Sequence, residues 1–385
     1  MSRRILVVPD KFKGTLTATA AAQAIARGWQ SVHPGDQLEL VPMSDGGDGF
    51  GPVFAALLKA ERRTVTTVDA AHRPREASFW FAPEEGLAII ETADVNGLAL
   101  LPPGKFHPFE LDTFGLGALF RAPASVGARK CLVGVGGSST NDGGFGLAHA
   151  LGWRFLDQQG NEITRWTGLS ELKRVEPPAR ELQFEELIVA VDVQNPLLGM
   201  NGATRIYGPQ KGVRPEDYPQ AESCLGQLAA CMDQLRNSPL SAEPGTGAAG
   251  GLSYGLKAFL GGVFESGADL FSGLSKIRER VQEAAIVLTG EGAIDAQTLM
   301  GKGVGHIAQL CEELEKPCLA FAGILGPGVL EKLNAADSPM RQFKPFAIVP
   351  ALALSDKAKT DAAYYLEKLA ASVAADHPSP LSTNN

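Results

Sequence analysis

Short, unbroken apolar runs that each break off into a glycine-rich polar loop constrain this chain more than any other feature. Ile5-Leu6-Val7-Val8 stops at Pro9-Asp10, and Ala285-Ile286-Val287-Leu288 leads into Thr289-Gly290-Glu291-Gly292. Aliphatic runs without polar alternation mark strands buried on both faces, as in a parallel sheet. Helical patterns follow both runs. Thr17 is placed to cap an alanine-rich helix towards Trp29, and Val304, Ile307, Ala308, Cys311 and Leu314 recur at helical spacing. Strand–helix alternation of this kind predicts βαβ units. Glycine reinforces the reading: 44 of 385 residues is about 11%, against a usual ~7%. The excess has no repeating period, which excludes a collagen-like chain. It falls where backbone must turn sharply or approach a ligand closely.

The rhythm appears at both ends of the chain. Leu38–Val41 and the β-branched Thr64–Val68 read as further strands, with a helix over Phe50–Ala60 between them. Near the other end, Cys318–Phe321 and Phe346–Val349 read as strands, Gly328–Ala335 as a helix, and Ser355 as the cap of a final helix through Leu369. The middle is mixed. Ala77–Phe81 and Leu87–Glu91 look like paired strands, and Lys130–Val135 and Ile188–Val193 like central ones. Helices are expected at Gly115–Phe120, Asp142–Leu151, Ala221–Leu235 and Ala249–Leu260. The expected architecture is α/β: a discontinuous parallel-sheet domain (residues 1–70 and 268–376) interrupted by an inserted α/β domain (71–267). A ligand cleft between the two, closing about crossings near Ala71 and Gly267, is expected, as is a disordered tail at 377–385.

Several function classes are excluded by composition and motif. Lys plus Arg is 35 and Asp plus Glu is 43, giving a net charge of −8, with no basic run for nucleic acid or an anionic membrane. The 5 cysteines include no C-x-x-C, so neither a disulfide framework nor a zinc ribbon is supported. The apolar run after Met1-Ser2-Arg3-Arg4 is too short for a signal-peptide core, and no stretch approaches ~18 apolar residues; a soluble cytoplasmic protein is expected. There is no Walker A sequence and no protein-kinase signature. Gly245-Thr246-Gly247-Ala248-Ala249-Gly250 matches G-x-G-x-x-G, but no strand precedes it, so it reads as a chance match or as a helix-start loop, which could still hold a phosphate on its amides. Gly251-Leu252-Ser253-Tyr254-Gly255 matches a nucleophile elbow but lies within an expected helix. The histidines show no zinc spacing.

What remains is a set of six polar, glycine-rich segments, most directly after an expected strand, where open parallel sheets bind ligands. They are 10–15, 45–49, 136–144, 192–196, 208–212 and 289–303. Lys13, Lys211 and Lys302 each precede a glycine, combining a point charge with bare amide donors for phosphate. Asp10, Asp45, Asp142, Asp192 and Asp295 supply hard oxygens for Mg²⁺ or a base for a hydroxyl. Each segment alone is ordinarily a turn or a cap. Together they suit phosphoryl transfer, which needs mostly positioning and charge neutralisation.

The order of these segments resembles the type-1 glycerate kinase family. The resemblance is carried by Asp10–Leu16, Asp45–Gly49, Gly136–Gly144, Asp192–Leu197, Gly208–Gly212, Pro244–Leu252 and Thr289–Lys302, and spans nearly the whole chain. It implies ATP- and Mg²⁺-dependent phosphorylation of D-glycerate, giving 2-phosphoglycerate or, in other members, the 3-phosphate. It also implies a flavodoxin-like domain interrupted by a second α/β domain. Lys11, Phe50, Ser139 and Ala293 stand where Ser, Thr, Ala and Arg are common in the family, which bears on affinity or substrate range rather than reaction type. Glycerate needs a cationic or amide-rich pocket and a base. Asp192 is expected to take or orient the hydroxyl proton, with Asp45 as second candidate, while Lys13 and Lys211 neutralise phosphoryl or carboxylate charge. Glu291 and Asp295 are expected to hold Mg²⁺. The expected substrate- and phosphate-binding residues are Asp10, Lys11, Gly14, Gly46, Gly47, Gly136, Gly137, Ser138, Ser139, Thr140, Asn141, Asn195, Gly247 and Lys302. Two other readings stand beside this one: a kinase for another small hydroxy acid, and a non-catalytic small-molecule sensor on the same fold.

Overall fold

A computed structural model describes residues 2–378 except Asp45, Asp48, Lys302 and residues 336–338. Among the described residues the strands, in chain order, are β1 (Arg4–Val7), β2 (Gln37–Leu40), β3 (Glu61–Val68), β4 (Pro74–Ala82), β5 (Leu87–Glu91), β6 (Lys130–Gly134), β7 (Arg154–Leu156), β8 (Arg174–Glu176), β9 (Glu186–Ala190), β10 (Val263–Glu265), β11 (Ile286–Ile294), β12 (Cys318–Leu325) and β13 (Phe343–Ala347). The chain divides into two compact units, residues 1–45 with 268–385, and residues 46–267.

The first unit is built on a five-stranded sheet in the order β13-β12-β11-β1-β2. Every pairing is parallel, with Val7 opposite Leu288 on one side and Leu40 on the other. Counted within this unit, the order is the flavodoxin-like 2-1-3-4-5, which reverses direction between β1 and β11. The apolar runs explain why: Ile5, Val7 and Leu288 are fully buried, so these strands have no face for water.

Helix α1 (Ala18–Val32) begins where Thr17 Oγ1 accepts from Ala20 N at 3.1 Å. It packs on the last helix, Ala362–Ala375, through small residues. A Cβ on Gly28 would collide with Glu367 O and lie 2.8 Å from Ala370 Cβ. Arg3 and Trp29 Nε1 both donate to the buried Asp36 carboxylate at the end of this layer.

The second unit carries a six-stranded sheet in the order β10-β9-β6-β5-β4-β3, with a separate antiparallel ribbon of β7 and β8. β5, β6, β9 and β10 are parallel, while β3 and β4 pair antiparallel at one edge. Its core gathers Trp153, Trp166, Tyr254, Phe120, Phe145 and Phe259.

The structure corrects several expectations. The β-branched strand near Thr64 does not extend the first sheet: β3 runs antiparallel along β4, which takes residues 46–70 into the second unit. The glycine-rich segment after Leu288 is not a loop at first, since β11 continues through Thr289-Gly290-Glu291-Gly292 to Ile294 beside β12. Gly208-Pro209-Gln210-Lys211 forms the end of the helix Ala203–Lys211, with Gly212 as its left-handed cap. Ser355 opens a short helix (Ser355–Thr360) without a side-chain cap bond, and the Ala362–Ala375 helix is separate. Most of the expected tail, residues 379–385, lies outside the described residues. All five cysteines are free thiols, and among the described residues no helix is long and apolar enough to cross a membrane.

The α1 contact can be tested by stability. On an exposed helix face Gly→Ala gains about 1 kcal/mol, but overpacking a tight contact costs about 1–3 kcal/mol. Gly28→Ala is therefore expected to lower the unfolding free energy in urea titration; an increase would disprove the close helix–helix approach.

Candidate functional site

In the first unit the sheet reverses direction at β1 and β11, and ligands bind at the carboxyl ends of strands at such a point. Ladder bonds continue past the strand ends, Val8 N to Leu288 O at 2.7 Å and Asp10 N to Gly290 O at 2.8 Å. The chain then turns through Phe12–Leu16, with Gly14 left-handed at φ 77° and Thr15 Oγ1 donating to Phe12 O. Gly292 permits this turn to lie over β11: a Cβ there would be 3.2 Å from Lys13 N and 3.3 Å from Phe12 Cα.

Two carboxylates converge beyond that crossing. Asp10 is buried and its Oδ1 accepts from Lys11 N at 2.7 Å. Glu291 Oε1 accepts from Thr298 Oγ1 at 2.6 Å. Both reach towards Gly303, the residue before the helix Val304–Glu313: a Cβ on Gly303 would sit 3.5 Å from Glu291 Oε2 and 3.8 Å from Asp10 Oδ2. Gly303 has φ 56° and ψ −126°, a conformation only glycine takes readily. A bare backbone cradle with two hard carboxylates beside it fits a Mg²⁺ ion, which keeps several waters and takes one or two carboxylates. Asp295, expected to join Glu291, stands at the start of a helix. Its Oδ1 caps the helix Ala296–Leu299 by accepting from Gln297 N at 2.7 Å, and Thr298 returns a bond to its backbone. Lys13 is exposed and Lys11 half-buried. Lys302 lies outside the described residues.

In the second unit the loops gather at the carboxyl ends of β5, β6, β9 and β10. Gly46, at φ 93°, lies against Ala190 at the end of β9, and its carbonyl accepts from Gly136 N at 3.2 Å. Gly136 in turn leaves no room for a side chain, since a Cβ would be 2.5 Å from Gly47 Cα. The 245–251 segment packs beneath: Gly247 N donates to Asn195 O at 2.8 Å, and Gly250 O accepts from Gly143 N at 3.1 Å. Ala249, Gly250 and Gly251 are consecutively left-handed before the helix Leu252–Leu260, which begins later than expected. Ser253 of the apparent nucleophile elbow is buried and donates to Gly245 O, in keeping with its exclusion as a nucleophile.

The expected phosphate loop is largely committed to its own architecture. Gly137 is left-handed at φ 74° and its carbonyl accepts from Leu98 N. Ser138, Ser139, Thr140 and Asn141 are buried; Ser139 Oγ donates to Asn96 O, Asn96 Nδ2 reaches Ser138 and Thr140, and Asn141 Nδ2 donates to Thr204 Oγ1. Asn141 Oδ1 is buried without a hydrogen-bond partner among the described residues. Asn195 bridges Tyr207 OH, from which it accepts at 2.6 Å, and Asn201 O. Asp192 is exposed at the end of β9, with Oδ1 accepting from Ser266 Oγ at 2.9 Å and Gly267 N at 3.0 Å. Asp45 lies outside the described residues.

Lys211 departs from its expected place in a phosphate-binding loop. It is 6% exposed, and its Nζ donates to Thr140 O at 2.6 Å. Burial pulls its ammonium pKa down to about 7, partly offset by Asp142. Burial likewise raises the pKa of Asp142, with Asp112 adding to the effect against hydrogen bonds from Gly146 and Thr113.

Glu91, which sequence reasoning passed over, belongs to the same set of loops: it ends β5 and accepts from Gly49 N at 2.7 Å and Gly51 N at 3.0 Å. The visible signal was an acidic residue closing an otherwise apolar strand, Leu87-Ala88-Ile89-Ile90-Glu91.

Comparison with known proteins gives this chemistry its class, that of a small-molecule kinase. The glycerate kinase family model matches residues 5–377. A glycerate kinase from Halalkalibacterium halodurans is 36% identical over 377 residues, covering 96% of this chain and 97% of the relative. A glycerate 2-kinase from Escherichia coli is 35% identical over 326 residues, covering 84% and 85%. A crystal structure assigned as a glycerate kinase 2 from Salmonella typhimurium LT2 superposes with a TM-score of 0.81 at 29% identity, over 98% of each chain. The chain belongs to the glycerate kinase family.

The buried lysine carries a pH signature. Between pH ~7 and 10.5 the unfolded chain holds the Lys211 proton and the folded chain does not, so stability rises with pH through that window. Lys211→Met removes this titration. The unfolding free energy of wild type relative to the variant should increase on the order of 1–2 kcal/mol from pH 7 to pH 9 in urea titrations; parallel pH profiles would overturn it.

Proposed function

We propose that this kinase transfers the γ-phosphoryl group of ATP to the 2-hydroxyl of D-glycerate, with Mg²⁺. The observation that carries the reading is the Asp10–Glu291 pair beside Gly303, at the reversal point of a parallel sheet. Phosphoryl transfer needs a neutralised, positioned phosphate chain, and this is where such a fold holds one. The E. coli relative named glycerate 2-kinase supports the choice of hydroxyl.

Asp10 and Glu291 would hold the metal, in place of the Glu291–Asp295 pair that the sequence favoured, because Asp295 is engaged as a helix cap. When bound, Mg²⁺ supplies charge neutralisation on the phosphate oxygens. Lys13, exposed on the turn above β11, adds a cation for the same charge, and Gly14 and Lys11 belong to that turn. In the second unit, Asp192 orients the reacting hydroxyl and accepts its proton. Two donors on one carboxylate oxygen fix that group in place, which is what a positioned base requires. Gly46, Gly47 and Gly136 bring backbone together where no side chain fits, a surface suited to a compact carboxylate. Lys211 contributes through Thr140, whose carbonyl it holds, and not as a phosphate contact.

The test is ADP release with D-glycerate, ATP and Mg²⁺, followed by NMR of the product. 2-Phosphoglycerate is expected. The 3-phosphate, or faster turnover of another hydroxy acid, would replace the proposed specificity, and no ADP release with any acid would remove the reading. Asp192→Asn is expected to lower kcat by about 10²–10⁴-fold, measured under saturating substrates. A kcat near that of wild type would take Asp192 out of the base role.

A further inference from the structure

We propose that Glu91 is a positioning residue for this reaction, fixing Gly46, Gly47 and Gly49 at the carboxyl ends of β6 and β9 for binding of the organic acid. The proposal rests on the functional reading above.

Helix α2 (Phe50–Leu58) starts at Gly49, which is left-handed at φ 89° and has no side chain to cap the first amides. Glu91 supplies the missing acceptor from another strand: Oε1 takes Gly49 N at 2.7 Å and Oε2 takes Gly51 N at 3.0 Å. A carboxylate bridging two amides at a helix start makes charge-assisted bonds that are strong and directional. The helix start cannot slide to compensate. A Cβ on Gly51 would overlap the Trp80 ring, and Phe50 packs directly on Gly134, the last residue of β6. The other end of the loop is pinned by Gly46, against Ala190 and hydrogen-bonded to Gly136 N. Glu91 therefore sets where the loop lies relative to the segment that carries Asp192, two residues after Ala190. A side chain needed only to cap α2 would have to bond the helix. This one also ties the helix to the same sheet edge that presents the proposed base.

The experiment compares wild type with Glu91→Gln. Glutamine keeps one acceptor oxygen but sets an NH₂ against the second amide. KM for D-glycerate is expected to rise at least fivefold while KM for ATP stays within twofold, and hydrogen exchange at Gly49 and Gly51 is expected to quicken at least tenfold. Glu91→Asp retains the charge one methylene short; it should show the same KM split more weakly, and stands in if the glutamine variant does not fold. Unchanged KM values, with kcat lowered only in proportion to the unfolded fraction, would reduce Glu91 to a helix cap. A rise confined to KM for ATP would overturn the assignment to the acid. Unchanged exchange at Gly49 and Gly51 would overturn the positioning role whichever substrate the enzyme takes. A wild type that releases no ADP with D-glycerate defeats the functional reading instead, and is seen before any variant is compared.

Discussion

Backbone meeting backbone without an intervening side chain is the contact on which both sets of loops depend. Gly136 against Gly47, and Gly292 against Phe12 and Lys13, are approaches that a single methyl group would force apart. The alternative, a loop held off by side chains, would place its polar groups ångströms away from the strand ends. Close approach of this kind carries a cost, because glycine loses more conformational freedom on folding than any other residue. The cost is offset by the buried apolar cores that pack against the sheets. Rigid strands thus set the ends from which loops start, and missing side chains let those loops converge.

Charge is distributed unequally between the two sets of loops. The first unit presents carboxylates at its reversal point, with lysines on the turn beside them. In the second unit the ionic groups are partly withdrawn from water: Lys211 and Asp142 are both buried, and one donates to the Thr140 carbonyl while the other collects amide and hydroxyl donors. Removing one partner of such an arrangement leaves the other charge uncompensated in a poorly polarisable interior. These groups therefore specify loop shape more than they confer net stability.

Much of this was legible in the chain. Aliphatic runs located β1, β11 and β12, and Thr17 located the start of α1, because burial on both faces and capping leave local signatures. Pairing partners leave none. The Thr64–Val68 segment suits any sheet edge, and only the position of β4 decides that it pairs antiparallel in the second unit. Glycines in β11 read as a loop because their reason lies in Phe12 and Phe321, residues remote in sequence. Lys211-Gly212 had the composition of a phosphate loop but is a helix end, where a lysine and a left-handed glycine are equally at home. Asp295 was grouped with Glu291, and its bond to the start of the next helix was not legible, because sequence spacing cannot separate a ligand from a cap. Glu91 stood out only as the acidic end of an apolar strand, and what it bonds was not legible for a related reason: its partners are main-chain amides, which have no letter in the sequence.

The embrace of α1 by the last helix has a consequence for how the molecule is made. β1 lies between β2 and β11, so this inner strand of the first sheet has one neighbour from its own segment and the other from the far end of the chain. Residues 41–285, about 245 in all, must be translated between them, which at about 5–20 residues per second takes on the order of 10–50 s. During that interval the inserted unit has everything it needs to fold, while the amino-terminal segment waits with one apolar flank of β1 uncovered. A ribosome stalled late in the message would leave a finished insert attached to an open, adhesive strand, and chaperone demand would concentrate there.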